Sequence, residues 1–134
     1  MTDLPTRAPH PNEDSQPFWD ATGEGRLTLQ RCNDCDTVIW WPRAVCPECS
    51  SFDLNWFDAS GEGSVYSYTV VHRSVGGWNK VTPYVVAYVE LDEGPRMMTN
   101  IIDCDPSAVA VDSRVRVVFN DTGENSALPR FTLA

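Results

Sequence analysis

"RCNDCDTVIWWPRAVCPEC" (31–49) carries two C-x-x-C pairs, Cys32/Cys35 and Cys46/Cys49, with ten residues between them. Each pair forms a turn that can bring two sulfurs to one side of a metal. The intervening segment is long enough to let the turns face each other, which is the spacing a tetrahedral zinc requires. Four thiolate ligands leave no position for water, so the predicted Zn2+ is structural rather than catalytic. Zinc fits better than iron. Such an ion supplies about 10–16 kcal/mol of apparent binding free energy to a segment too small to have its own core. A C-x-x-C redox pair is the main rival, but it accounts for only one pair and lacks a βαβ setting. Glycine commonly follows the second cysteine of such a turn. Asp36 and Ser50 hold those places here, an imperfect match to the motif, since of the two only Asp tolerates the left-handed conformation fairly well.

Outside this stretch the chain is acidic. Its 134 residues have a formal net charge of -9, with 11 acids against 4 bases over residues 1–62 and 8 against 6 over 63–134. No block of Lys or Arg stands out, and Lys80 is the only lysine. Zinc ribbons often serve nucleic acid, yet phosphate contacts come from clustered Lys and Arg. Charge and motif therefore pull in opposite directions. No apolar run approaches the ~20 residues that cross a bilayer, and the N-terminus lacks a basic start followed by an apolar stretch. A cytoplasmic chain is expected, where thiols stay reduced and paired cysteines favour a metal over disulfides.

The pattern predicts a mainly β fold: a short N-terminal helix, a four-cysteine zinc ribbon, then a five-stranded OB-fold barrel. Residues 1–30 are assigned to an arm and helix, 31–56 to the ribbon and 57–134 to the barrel. Residues 1–12, with prolines at 5, 9 and 11, are expected to be an extended, mobile arm. "SQPFWDATGEG" (15–25) predicts a helix capped by Ser15, tolerant of Pro17 in its first turn and ended by Gly23 and Gly25. Phe18 and Trp19 on that helix either dock onto the body or form a partner surface. "GSVYSYTVVH" and "PYVVAYVELD" are rich in β-branched and aromatic residues. After a turn at "EGP" (93–95), "RMMTNIID" follows as a hairpin partner. "SRVRVVFN" alternates as a half-buried strand does, and "LPRFTL" closes the chain with Pro129 suited to an edge. These five strands suit a closed or nearly closed barrel.

Chemistry-bearing residues are sparse. Trp40 and Trp41 are expected to cover the metal and pack on the barrel. Arg43 is either a surface charge or a contact for a phosphate or partner carboxylate. The segment 72–83, with Gly76-Gly77, Trp78 and Lys80, is a solvated loop or a ligand- or partner-binding surface. His10 lies in the arm and His72 ends a strand. Cys104 sits between Asp103 and Asp105, which raise its pKa and weaken it as a nucleophile. No catalytic residue is assigned.

The order of motifs resembles one family over residues 17–119: an "FW" helix, "G-x-L-x-L-Q-R-C-x-x-C", "P-R-x-x-C-P-x-C", "S-G-E-G-x-V-Y-S-Y-T-V-V" and "PYVVAYVELDEGPR". That family, first grouped as a domain of unknown function, joins a rubredoxin-like zinc ribbon to an OB-fold barrel. Its members are typically encoded beside thiolases or sterol-carrier-protein-type thiolases. Several act as accessory subunits of acyl-CoA enzymes, including thiolase-like acyltransferases and aldolases of steroid side-chain degradation. The resemblance implies Cys32, Cys35, Cys46 and Cys49 as zinc ligands, Pro42-Arg43 as the element between the knuckles, and "SGEG" (60–63) as the hinge. It also implies a non-catalytic accessory subunit that stabilises or completes a thiolase-like partner in fatty-acid or steroid metabolism, with possible acyl-CoA contact and no membrane. The alternative is a protein that binds single-stranded nucleic acid. Trp40, Trp41, Tyr66, Tyr68 and Trp78 would stack on bases there, and Arg26, Arg31, Arg73, Arg114 and Arg116 would have to gather into a track.

Overall fold

The computed structural model describes residues 3–134. The first two residues of the expected arm lie outside them. One α-helix, α1 (Gln16–Gly23), precedes a three-stranded antiparallel sheet of β1 (Thr28–Cys32), β2 (Val38–Ile39) and β3 (Leu54–Asp58), in the order β2-β1-β3. The remaining strands close into a barrel: β4 (Glu62–Val71), β5 (Tyr84–Leu91), β6 (Arg96–Ile101), β7 (Arg114–Asp121) and β8 (Ala127–Leu133), in the order β4-β5-β6-β8-β7. The mainly β prediction holds, and the five barrel strands fall on the five predicted runs.

Closure depends on the length of β4. It pairs with β5 along 63–71, while its first residues, 62–64, pair on their other flank with β7 (Gly63 opposite Val115), and a bulge between Val65 and Ser67 shifts the β5 register and bends the strand. Two glycines make this corner possible. Gly61 has φ +80°, which disfavours any side chain, and Gly63 lies so close to the Glu90 carbonyl that a Cβ would collide with it. Both belong to "SGEG", the expected hinge. β8 fills the remaining gap, antiparallel to β7 over seven residue pairs but parallel to β6 only at Ile101 and Phe131. Pro129 was expected at an edge. The ring has no free edge there, yet Pro129 occupies the sparsely bonded flank toward β6, where its missing N–H costs nothing.

The alternation of β5 places Val85, Ala87, Val89 and Leu91 inside, where they meet Val65, Met97, Ile101, Val115 and Phe131. This core also takes in Phe18 from α1 and Leu27 and Leu29 from the approach to the ribbon. Helix, first ribbon strand and barrel therefore share one apolar interior.

Two local expectations need correction. Ser15 occupies the N-cap position, but its hydroxyl does not cap the helix. It accepts the Asn12 N–H while Asn12 Oδ1 accepts the Ser15 N–H, a reciprocal clasp that uses the preceding turn. At the other end Gly25 is left-handed (φ +77°), whereas Gly23 is helical and small because the Asn125 carbonyl passes over it. Residues 3–12 of the arm form neither helix nor strand, and its residues 4–6 are half-buried against the body. Arg130 from β8 holds them: Nη2 donates to the Pro5 carbonyl at 2.6 Å and Nη1 to Thr6 Oγ1 at 2.9 Å.

Candidate metal centre and aromatic groove

The two cysteine turns repeat one local geometry. In the first, the Asp36 N–H donates to the Cys32 carbonyl (2.9 Å) and the Cys32 N–H to the Thr37 carbonyl (2.9 Å). In the second, the Ser50 N–H donates to the Cys46 carbonyl (3.0 Å) and the Cys46 N–H to the Ser51 carbonyl (2.9 Å). Asp36 (φ 63°) and Ser50 (φ 64°) are left-handed, as their positions after the second cysteines demand. Within each turn the first cysteine, Cys32 or Cys46, is buried, and the second, Cys35 or Cys49, faces outward.

This repetition brings all four sulfurs within 4.8 Å of one another, with Cys32 to Cys49 at 3.5 Å and Cys35 to Cys46 at 3.6 Å. A tetrahedron with Zn–S bonds of about 2.3 Å has edges of about 3.8 Å, so the donor set already has the dimensions of a zinc site. The electrostatics agree. The Thr37 hydroxyl, helped by the Thr37 N–H, lowers the Cys35 thiol to about 7. The Ser51 N–H likewise lowers Cys49, but the crowding thiols of Cys32 and Cys35, together with desolvation, push it up to about 12. Four thiols this close cannot all ionise without a cation between them, and a divalent ion relieves the conflict. The four cysteines thus hold one structural zinc.

The surroundings fix the two turns to each other. Asn33 Nδ2 donates to Asp53 Oδ1 (2.8 Å), and the Ser51 hydroxyl bonds to Asp34. Buried Gln30 on β1 clasps the far side of the link, its Nε2 donating to the Arg43 carbonyl (2.9 Å) and its Oε1 accepting the Arg43 N–H (2.9 Å). Gln30 was not singled out in the sequence, since nothing local marks a glutamine as a brace. Arg43 itself is exposed, with Nε donating to the Trp41 carbonyl at 3.0 Å.

Trp40 and Trp41 do not cover the metal. Ile39 and Leu54 pack around the buried cysteines instead. The tryptophans turn toward α1, where Phe18 is the hub: ring centroids lie 5.0 Å from Trp19, 5.3 Å from Trp40 and 5.4 Å from Trp41. The first two are edge-to-face and the third is tilted, and such contacts add to the burial itself. Phe18 is fully buried, so it joins ribbon to barrel and has no surface to offer a partner. Trp19 is only partly buried and reaches the surface.

Beside this cluster runs a groove of about 340 Å³ whose walls include Trp19, Trp40, Trp41, Trp78 and Met98, with Arg7 and Arg130 among its lining. The loop 72–83 contributes through a short 3-10 turn (Gly76–Lys80) in which the Trp78 ring lies 4.9 Å from Tyr84. Of the proposed contact residues, Trp19 and Trp78 meet in this groove. Lys80 faces a different cleft with Tyr84 and Cys104, and Arg43 stands on the ribbon away from both. Partial burial raises the Cys104 thiol, followed by the charges of Asp105 and Asp103.

Three of the five arginines required for a nucleic-acid track have partners within the chain. Arg26 pairs with Glu24 and Asp58, Arg114 with Asp92, and Arg31 lies over the Phe57 ring at 4.5 Å. Among the described residues no helix is long and apolar enough to cross a membrane.

Ribbon, hinge and barrel together define a zinc-ribbon–OB-fold protein. The sequence matches the ChsH2 rubredoxin-like zinc ribbon domain over residues 19–55 and the ChsH2 C-terminal OB-fold domain over 56–120. It is 37% identical over 99 residues to a DUF35 domain-containing scaffold protein of Methanothermobacter thermautotrophicus, covering 73% of this chain and 74% of that one. The chain belongs to this DUF35 family. It is also 37% identical over 120 residues to a probable enoyl-CoA hydratase alpha subunit of Thermomonospora curvata, covering 90% of this chain but 37% of that relative, so it spans little more than a third of that protein's length. Among solved structures it is similar to the Ltp2-ChsH2(DUF35) aldolase, with a TM-score of 0.84 and 36% identity over 94% of this chain and 98% of that one.

Proposed function

We propose that this chain is a non-catalytic accessory subunit that binds and completes a thiolase-like acyl-CoA enzyme. The observation that carries the reading is the near end-to-end likeness to the DUF35 chain of an aldolase assembly, together with scaffold naming of a relative matched over most of its length. The chain's own chemistry is consistent with this. Its zinc has a full set of thiolate ligands and no open position. Cys104 is held as a thiol, a weak nucleophile. Acyl transfer or carbon–carbon chemistry belongs, on this reading, to the partner. The cytoplasm, where the four thiols stay reduced for zinc, is its compartment.

The surface proposed for docking includes Trp19 and Trp78 beside the groove and Arg43 on the ribbon. Phe18 supports it from beneath. Lys80 lies on the neighbouring cleft and takes part only if the partner extends past the 3-10 turn. Nucleic-acid binding is the weaker reading, because the net charge is -9 and two of the five arginines such a track needs, Arg26 and Arg114, are paired with carboxylates. Co-expression with a thiolase-like protein encoded beside the gene tests the proposal. The expected result is co-elution on size exclusion and a change in the enzyme's activity or solubility. Separate elution with both properties unchanged would refute it.

A further inference from the structure

Arg130 lies at the base of the aromatic groove with 3% of its surface exposed. A buried guanidinium is ordinarily neutralised by a carboxylate, because an unpaired charge in a poorly hydrated site is costly. Here every acceptor is neutral: Thr6 Oγ1 and Asn120 Oδ1 take Nη1 at 2.9 Å each, and the Pro5 carbonyl takes Nη2 at 2.6 Å. Among the described residues no acid lies within ion-pair distance of it, and desolvation lowers its pKa with no opposing charge to raise it. These three bonds use three of the five guanidinium donors. They fix the fork in place while leaving its charge uncompensated.

The rest of the groove shares this bias. In a chain with 19 acids and 10 Lys and Arg, the lining contains no carboxylate, and its two charged members are both arginines, Arg130 deep and Arg7 exposed. The walls are tryptophan faces and Met98, which suit a flat or hydrocarbon body. A volume of about 340 Å³ fits a small ligand. An apolar enclosure, a pre-oriented cation and the absence of competing anions form a site for an amphipathic anion.

We propose that this groove binds an oxyanion, carboxylate or phosphate monoester, carried on an apolar body, with Arg130 as the anion seat and Arg7 at the mouth. The site belongs to this chain alone and does not require the accessory role.

Four of the five tryptophans line the groove, so their fluorescence reports occupancy. The zinc-loaded full chain is titrated with decanoate, decyl phosphate and decanol, each below its aggregation threshold. Saturable quenching is expected with at least one anion, about tenfold or more tighter than with decanol. The preferred anion tells carboxylate from phosphate. Arg130→Met should abolish the preference. Because that change also frees the arm and can disturb folding, Met98→Asp is made in parallel. It places a carboxylate on an exposed wall position and should weaken anion binding about tenfold more than it weakens decanol, which loses only the apolar contact. Arg7→Gln should weaken it a few-fold at low salt. No saturation with either anion, decanol binding as tightly as the anions, or Met98→Asp binding like wild type would each overturn the assignment. A chain that co-elutes with its enzyme yet shows no saturation retires the groove and leaves the accessory role standing.

Discussion

Barrel and ribbon tip are built on opposite physical principles within one chain. The barrel encloses Val65, Val85, Val89, Leu91, Val115 and Phe131, all buried, in a ring whose strands satisfy one another's backbone groups. The tip has two buried cysteines, Ile39 and a partly buried Leu54. An apolar core of that size cannot offset the entropy of ordering two turns. Burial therefore holds the barrel, whereas metal ligation holds the tip. The aromatic cluster around Phe18 and the shared packing of Leu27 and Leu29 join them, so the tip is a local unit attached to a self-sufficient body.

The strongest way to break this contrast is at the metal. Cys46→Ser or Cys32→Ser should abolish stoichiometric zinc, which is expected at one ion per chain, and remove most of the roughly 10–16 kcal/mol that such an ion supplies. Metal analysis with circular dichroism checks it. Full zinc content in the Ser variant, or no zinc in freshly purified wild type, would overturn the assignment. Next in size is the barrel: Phe131→Ala should cost about 3–5 kcal/mol of global stability by denaturant unfolding while zinc content stays at one. Zinc loss in that variant would mean that the two regions are not separable.

Smaller effects sharpen the boundary. Gln30→Ala leaves the Arg43 N–H and carbonyl without their partner, so about 1–3 kcal/mol should be lost, felt as faster zinc release to a chelator. Unchanged release would show that the clasp is incidental. The smallest effect lies on the barrel surface. The Arg114 guanidinium holds the Asp92 carboxyl below its ordinary value. The stability this contributes is fully present above the unfolded pKa near 4 and is lost as pH falls through the lower folded value. Asp92→Asn should flatten that part of the acid unfolding curve. An identical curve would show that solvent screens the pair completely.

Features set by near neighbours were readable in the sequence. Cysteine spacing specified the knuckles, and the alternation of Arg114 and Arg116 with Val115 and Val117 specified the half-buried strand β7. What could not be read depends on residues far apart in the chain. Arg130 meets Pro5 and Thr6 across almost its full length. Gln30 finds Arg43 only because β1 and the link fold over each other. The tryptophan pair was expected over the metal and on the barrel, and the placement of Phe18, which draws both rings toward α1, has no local signal in the sequence. The arm looked mobile because proline content predicts extension and says nothing about an arginine waiting beyond residue 120.

Hydrogen exchange, followed by mass spectrometry with and without a zinc chelator, tests the central claim most directly. Metal removal should raise exchange sharply across the knuckles, residues 32–54, while β4, β5 and β7 keep their protection. Uniform deprotection of barrel and ribbon, or no change in the knuckles, would contradict a metal-held tip on a burial-held barrel.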